Sequence, residues 1–214
     1  MKNKKVYCAG PLFNPKEREE MKEIATCFEN AGYDTFLPQR DGFEMNVWLK
    51  RVIDKGIDAE EAGRAITRAV FALDVYQLVE CCDGILVNLN GRVPDEGSIA
   101  EAAIAWCADK PITGYKNDNR TVFMGEDNPL VTGLFDFEII DSIDGAVEHL
   151  KRQLEQNGHV QIKRKSKKMK DYIAIGRSIW EKINSGLEIT DTLVKLVNEA
   201  EASQKKNGNV AIAV

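Results

Sequence analysis

The chain has 214 residues, 43% of them hydrophobic and 29% charged, with a formal net charge of -5. That length and apolar content suit one α/β domain of ordinary size, or one domain with a small appendage, and exclude wholesale disorder. An acidic chain asks for no nucleic-acid partner, and five cysteines without a C-x-x-C pair or Cys/His cluster indicate neither a disulfide framework nor a zinc site.

The opening MKNKK leads straight into VYCAG, without the apolar stretch of a signal peptide, and no later run is long enough to span a membrane; a cytoplasmic location is expected. Lys5 to Ala9 reads as a buried strand ending at Gly10-Pro11. Asn14 and Pro15 then start a helix to about Asn30, with Met21, Ile24, Ala25 and Phe28 on one face, and Ala31-Gly32 ends it. Asp34 to Pro38 is a second short strand, and Gly42 to Glu61 is polar with a few large apolar residues, helical or loop-like. A helix is expected over Ala65 to Cys82, and the clearest strand over Gly84 to Leu89. An alanine-rich helix follows over Glu96 to Asp109, then strands over Pro111 to Tyr115 and Phe137 to Ile140, then a helix over Asp144 to Gln156.

Strands alternating with helices imply a parallel sheet covered on both faces. The expected architecture is a flavodoxin/Rossmann-like, doubly wound, five-stranded parallel sheet with a C-terminal helical extension. Residues 1–158 would form the α/β domain and residues 159–214 the extension. The extension opens on a basic run, Lys163 to Lys170, read as a solvated linker in preference to an anion-binding patch. Ile173, Ile175, Ile179 and Ile183 suggest a helix that Gly186 breaks, and Leu187 to Ala202 suggests a second one, while Lys205 to Val214 reads as a frayed tail.

In open parallel sheets ligands sit outside the carboxyl ends of the strands. That rule places Tyr7 to Phe13, Pro38 to Gly42 and Asn88 to Glu101 on one rim. The densest segment is NLNGRVPDEGSIAE, Asn88 to Glu101. Gly91 and Gly97 permit tight turns or close approach to a ligand. A lone carboxylate in the first turns of a helix is usually only a dipole partner. Glu101, however, lies among Ile99, Ala100, Ala102, Ala103 and Ile104, where a carboxylate is costly unless something uses it. The order G-R-V-P-D-E-G fits neither a dinucleotide fingerprint nor a P-loop. His149 and His159 lie outside any motif, so neither a metal nor another cofactor is expected.

Several segments together resemble the nucleoside 2-deoxyribosyltransferase family. VYCAGPLFNP is similar to its first strand and turn, CCDGILVNLN to its middle strand, GRVPDEGSIAEAAIA to the motif that carries its nucleophilic glutamate, and DKPITGYKND to the following helix exit and strand. The resemblance covers about Lys5 to Leu150. It implies that Glu101 attacks C1′ of a deoxynucleoside, that Tyr7 holds the glutamate, and that Asp74 protonates the departing base. Asp74 is one residue further from Asp83 than in the family pattern. The resemblance also implies substrate contacts by Asp95 (to the 5′-hydroxyl), Gly10, Phe13, Gln39, Gly97, Ser98 and Asn128, the last reaching a neighbouring subunit's sugar site. The partners it implies are a small-molecule deoxynucleoside and a free nucleobase, with neither nucleic acid nor membrane, in a homo-oligomer, a dimer or larger, with shared active sites.

Each residue also has a plainer reading. Tyr7 can be a core aromatic, Asp74 a surface helix aspartate, Gln39 a polar loop residue and Asn128 a turn residue before Pro129. Arg92 and Arg120 are cations that would suit a purine, the acidic cluster or a phosphate. An aspartate at position 95 favours a free nucleoside over a 5′-monophosphate, since a carboxylate beside a phosphate in a partly dry pocket costs on the order of 1 kcal/mol or more. Ser98 keeps phosphate recognition open. The alternatives are therefore an N-glycoside hydrolase acting on a nucleoside or nucleoside 5′-monophosphate, and a catalytically degenerate nucleotide-sensing or interaction module.

Overall fold

The computed structural model describes residues 3–120, 127–156 and 165–198. The chain divides into two compact units, one of residues 1–42 and 75–166, the other of residues 43–74 and 167–214.

The first unit is built on five parallel strands: β1 (Lys5–Ala9), β2 (Asp34–Phe36), β3 (Gly84–Asn88), β4 (Ile112–Tyr115) and β5 (Ile139–Ile140), in the order β2-β1-β3-β4-β5. This is the doubly wound arrangement expected from the alternation of elements, and its order reverses between β1 and β3. β3 is the middle strand, and all five of its residues are buried. A strand covered on both faces reads as a continuous apolar run, which is why GILVN stands out in the sequence.

Alternation along β1 sends Val6 and Cys8 to one face and Tyr7 to the other. Val6, Cys8 and Leu86 pack with Met21, Ile24 and Phe28 of helix α1 (Pro15–Asn30) and with Ala146, Val147, Leu150 and Leu154 of helix α7 (Ile143–Gln156). Burying one such large apolar side chain contributes about 1.5–3 kcal/mol. α1 starts with a capping box: Asn14 accepts from the Glu17 amide, and the Glu17 carboxylate accepts from the Asn14 amide. Helix α5 (Glu96–Cys107) packs against β3 and β1.

Element bounds shift in several places, and the helix expected from Ala65 already begins at Ala59. Pro38 does not close β2 but occupies the first turn of a short helix, α2 (Pro38–Asp41), as its fixed φ and missing N–H favour. The helix expected to run through Cys82 ends in a π turn, Gln77–Cys81. The last strand shrinks from four residues to Ile139–Ile140, because Asp136 and Phe137 take left-handed φ values of 53° and 62°, which no strand admits. A short helix, α6 (Pro129–Thr132), precedes them.

The second unit is helical. It contains α3 (Met45–Ile53), most of α4 (Ala59–Tyr76), α8 (Lys167–Asn184) and a further helix, α9, whose described part is 190–198. Its core joins Val52, Ala62, Ile66 and Ala69 to Ile179, Ile189, Leu193 and Leu196. Gly186, at φ 63°, makes the turn between α8 and α9 that its lack of a Cβ allows. Lys167 to Lys170 form the first turn of α8 and are not linker; Lys163 and Arg164 lie outside the described residues, as does the tail from Lys205. No helix among the described residues is long and apolar enough to cross a membrane.

Candidate active site

The site is assembled where β3 gives way to α5. The chain leaves β3 at Asn88, turns through Gly91 at φ 120°, and enters α5 with Asp95 as N-cap. Oδ2 of Asp95 accepts from the Ser98 amide at 2.7 Å and from the Ser98 hydroxyl at 2.8 Å, and Ser98 is buried. Such a cap satisfies amides that the first turn leaves without intrahelical partners and contributes about 1 kcal/mol. Gly97 suits this geometry because a Cβ there would stand 3.2 Å from Asp95 Oδ2.

Glu101 is one and a half turns into α5, half-buried. Tyr7 reaches it from β1, the neighbour of β3. The Tyr7 hydroxyl donates to Glu101 Oε1 at 2.6 Å, the short length typical of a hydroxyl on a carboxylate. Tyr7 is fully buried, and its ring lies 5.3 Å from that of Phe36 on β2. The phenol is thus held by the sheet while the carboxylate is held by the helix, and the bond fixes their mutual orientation. A half-buried carboxylate aimed by a rigid donor is suited to act as nucleophile or electrostatic partner at a developing cation.

The two buried cysteines, Cys8 and Cys82, are poorly placed to compete. Burial pushes the thiols of Cys8 and Cys82 up, that of Cys82 to about 12, so neither supplies thiolate at neutral pH. Among the described residues no group of three His, Cys, Asp or Glu side chains is arranged to hold a metal ion.

The remaining residues singled out in the sequence sit as follows. Gly10 ends β1 in close contact: a Cβ would meet Met21 Sδ at 2.2 Å and Asn88 Cβ at 2.9 Å. Phe13 is 78% exposed on the following loop. Gln39, in α2, donates from Nε2 to the Arg18 carbonyl at 2.7 Å. Asn128 caps α6 by accepting from the Leu130 amide at 2.9 Å. Tyr7 is brought to Glu101, and Asp95 to Ser98 and Gly97, whereas Gln39 is bonded to the α1 backbone and Asn128 within its own helix α6. Asp74 is half-buried near the end of α4 and belongs to the second unit. Arg92 is exposed, and Arg120 pairs with Asp118. That guanidinium, with the amide of Gly91, holds the Asp118 carboxyl well below the usual carboxylate range.

Two polar arrangements were not anticipated. Glu20 of α1 accepts from Asn88, Asn90 and Tyr115. Lys116 and Asp127 form a buried pair in which Nζ donates to both carboxylate oxygens at 2.8 Å. The sequence hint for the first is two asparagines, at 88 and 90, closing an otherwise apolar strand; the second has no local signal. A cavity of about 510 Å³, lined by Trp106, Lys110, Leu134 and Gln153 among others, opens beside the amino end of β4, and none of the site residues named above lines it.

The tyrosine-held glutamate thus lies at the switch point of an open parallel sheet, the place where such sheets bind ligands. The sequence matches the nucleoside 2-deoxyribosyltransferase family over residues 6–160, and the chain belongs to that family. Among solved structures, it is similar to a conserved protein from Enterococcus faecalis V583, with 18% identity and TM-score 0.47, over 71% of this chain and 99% of the other. It is also similar to a 2-desoxiribosyltransferase from Leishmania mexicana, with 16% identity and TM-score 0.43, over 72% of this chain and 99% of the other. None of the curated proteins matches.

Proposed function

We propose that this protein exchanges nucleobases on 2-deoxyribonucleosides, with retention at C1′. A Glu101 oxygen attacks C1′ as the C1′–N bond breaks, and the departing base takes a proton from Asp74. The nitrogen of a second base then attacks C1′, the ester to Glu101 breaks with its electron pair returning to the carboxylate, and the second base gives its proton to Asp74, which is ready for the next cycle. Two inversions leave the original configuration. The observation that carries this reading is the 2.6 Å bond from Tyr7 to Glu101, which presents a carboxylate in fixed orientation. Asp95 contacts the 5′-hydroxyl of the sugar. The Ser98 hydroxyl is already donated to Asp95 beside that carboxylate, a setting that favours a free nucleoside over a 5′-monophosphate.

Purified protein incubated with deoxyinosine and adenine should yield deoxyadenosine, and Glu101→Ala should lower kcat at least about a thousandfold with the fold retained. No exchange by the wild type, or unchanged turnover by the variant, overturns the proposal. Release of free sugar without an acceptor base would place the activity with hydrolases instead.

A further inference from the structure

The loop from Asn88 to Asp95 is held by a set of hydrogen bonds that all depend on the polarity of one side chain outside the reacting centre. Both oxygens of Glu20 are used: Oε2 accepts from Asn88 Nδ2 at 3.0 Å, and Oε1 accepts from Asn90 Nδ2 at 2.8 Å and from the Tyr115 hydroxyl at 3.3 Å. A carboxylate offers acceptors only, so it dictates which way each asparagine amide points. With Nδ2 turned to Glu20, Asn88 presents Oδ1 to the Asn90 amide at 2.9 Å. Asn90 in turn presents Oδ1 to the amides of Asn117 and Asp118, at 2.9 and 3.1 Å. Asp118 returns to the loop and accepts from the Gly91 amide at 3.2 Å. One helix residue thus fixes the exits of β3 and β4 together, four residues ahead of Asp95.

Asn88 is fully buried, so an amide left facing the wrong way has no water to turn to. Asn88 is also crowded by Gly10, which limits its freedom to move aside.

We infer that Glu20 is a positioning residue for the sugar-binding loop, setting the place of Asp95 through the amide orientations of Asn88 and Asn90. This inference rests on the deoxyribosyl-transfer reading for its kinetic consequence, though not for its structural one. Glu20 touches no reacting atom; it acts on substrate binding through the loop.

The test is a polarity swap. In Glu20→Gln one of the two oxygens becomes an NH2 group, so in either orientation of the new amide an asparagine Nδ2, of Asn88 or of Asn90, meets donor against donor. Relief by turning that asparagine would forfeit the bond from the Asn90 amide or those from the Asn117 and Asp118 amides. KM for a deoxynucleoside should rise roughly tenfold, with kcat within about threefold, the scale of one lost charge-assisted bond. Asn88→Asp alone sets two carboxylates face to face and should raise KM at least as much. The double variant E20Q/N88D restores a donor facing an acceptor. Its carboxylate at position 88 can still accept from the Asn90 amide, and KM should return to within about threefold of wild type. Glu19→Gln, on the exposed side of α1, serves as the neutral control.

Hydrogen exchange at the Asn90 and Gly91 amides provides a readout independent of turnover: faster in each single variant, slow again in the double. Should the N88D single variant not fold, Glu20→Gln and the double still give the comparison. An active wild type with KM and exchange unmoved in Glu20→Gln, or with no recovery in the double, overturns the inference. An inactive wild type with the exchange pattern intact keeps the loop assignment and removes the transfer reading instead.

Discussion

The Tyr7 hydroxyl bonds Glu101 Oε1 at 2.6 Å across 94 residues of sequence, and so ties the strand on one side of the sheet's switch point to the helix that leaves the other side. Tyr7→Phe keeps the buried ring against Phe36 and removes only the hydroxyl. Under the proposed function kcat should fall about ten- to a hundredfold, because the carboxylate loses its orienting donor. Steady-state base exchange measures this, and wild-type kcat in the variant would remove the orienting role.

Asp95 has two duties, and they separate by measurement. As the N-cap of α5 it contributes to stability, so Asp95→Ala should lower it by about 1 kcal/mol in denaturant unfolding. Asp95→Asn retains an acceptor for the Ser98 amide and should recover most of that loss. If Asp95 also contacts the sugar, both variants should raise KM, with the asparagine variant showing a binding defect at near-normal stability.

The buried Lys116–Asp127 pair makes a stability prediction independent of catalysis. Lys116→Met leaves Asp127 as an uncompensated buried charge and should destabilise by about 3–5 kcal/mol. Replacing both residues, as K116M/D127L, should recover most of it. A single variant as stable as the double would show that the pair is solvated in solution.

Gly10→Ala places a methyl against Met21 Sδ and Asn88 Cβ. Met21 can yield, but both neighbours are fully buried, so a loss of about 1–3 kcal/mol is expected from overpacking. Thermal unfolding of the variant measures it.

Glu29 gives a pH prediction. A hydrogen bond from Thr35 chiefly, then one from Arg40, holds its carboxyl below the ordinary glutamate value despite partial burial. A carboxylate whose folded pKa is depressed contributes stability that is present above its unfolded pKa and lost as the pH falls through the folded one. Thr35→Val should therefore flatten the acid limb of the stability profile below about pH 4.3, the ordinary glutamate value, and change its slope little above about pH 6. Glu29 is substantially exposed, so the effect is screened and should shrink in high salt.

The sequence made some of this visible and hid the rest for physical reasons. β1 and β3 were legible because a strand buried on both faces must be apolar throughout. α1 was legible because Asn14 and Pro15 write its start locally; the part of Glu17 in the cap came only with the structure. Glu101 alone was an ordinary helix carboxylate; the motif around it and its likeness to a family brought Tyr7 into view. Glu20 left no local trace, since its partners lie 68, 70 and 95 residues away, at the end of β3, just beyond it and at the end of β4. The shortening of the last strand was hidden too, because left-handed Asp136 and Phe137 answer to the chain's path and not to their own preferences.

The helical unit is woven from two distant stretches of chain. Val52, Ala62 and Ile66 are covered by Ile179, Ile189 and Leu193, so neither stretch can shield its apolar side without the other. Cutting the chain after residue 166 would remove half of a shared core, leaving a sticky face in the middle of the remaining polypeptide. A shortened version, however natural the cut looks from the end of the family match, should precipitate or recruit chaperones.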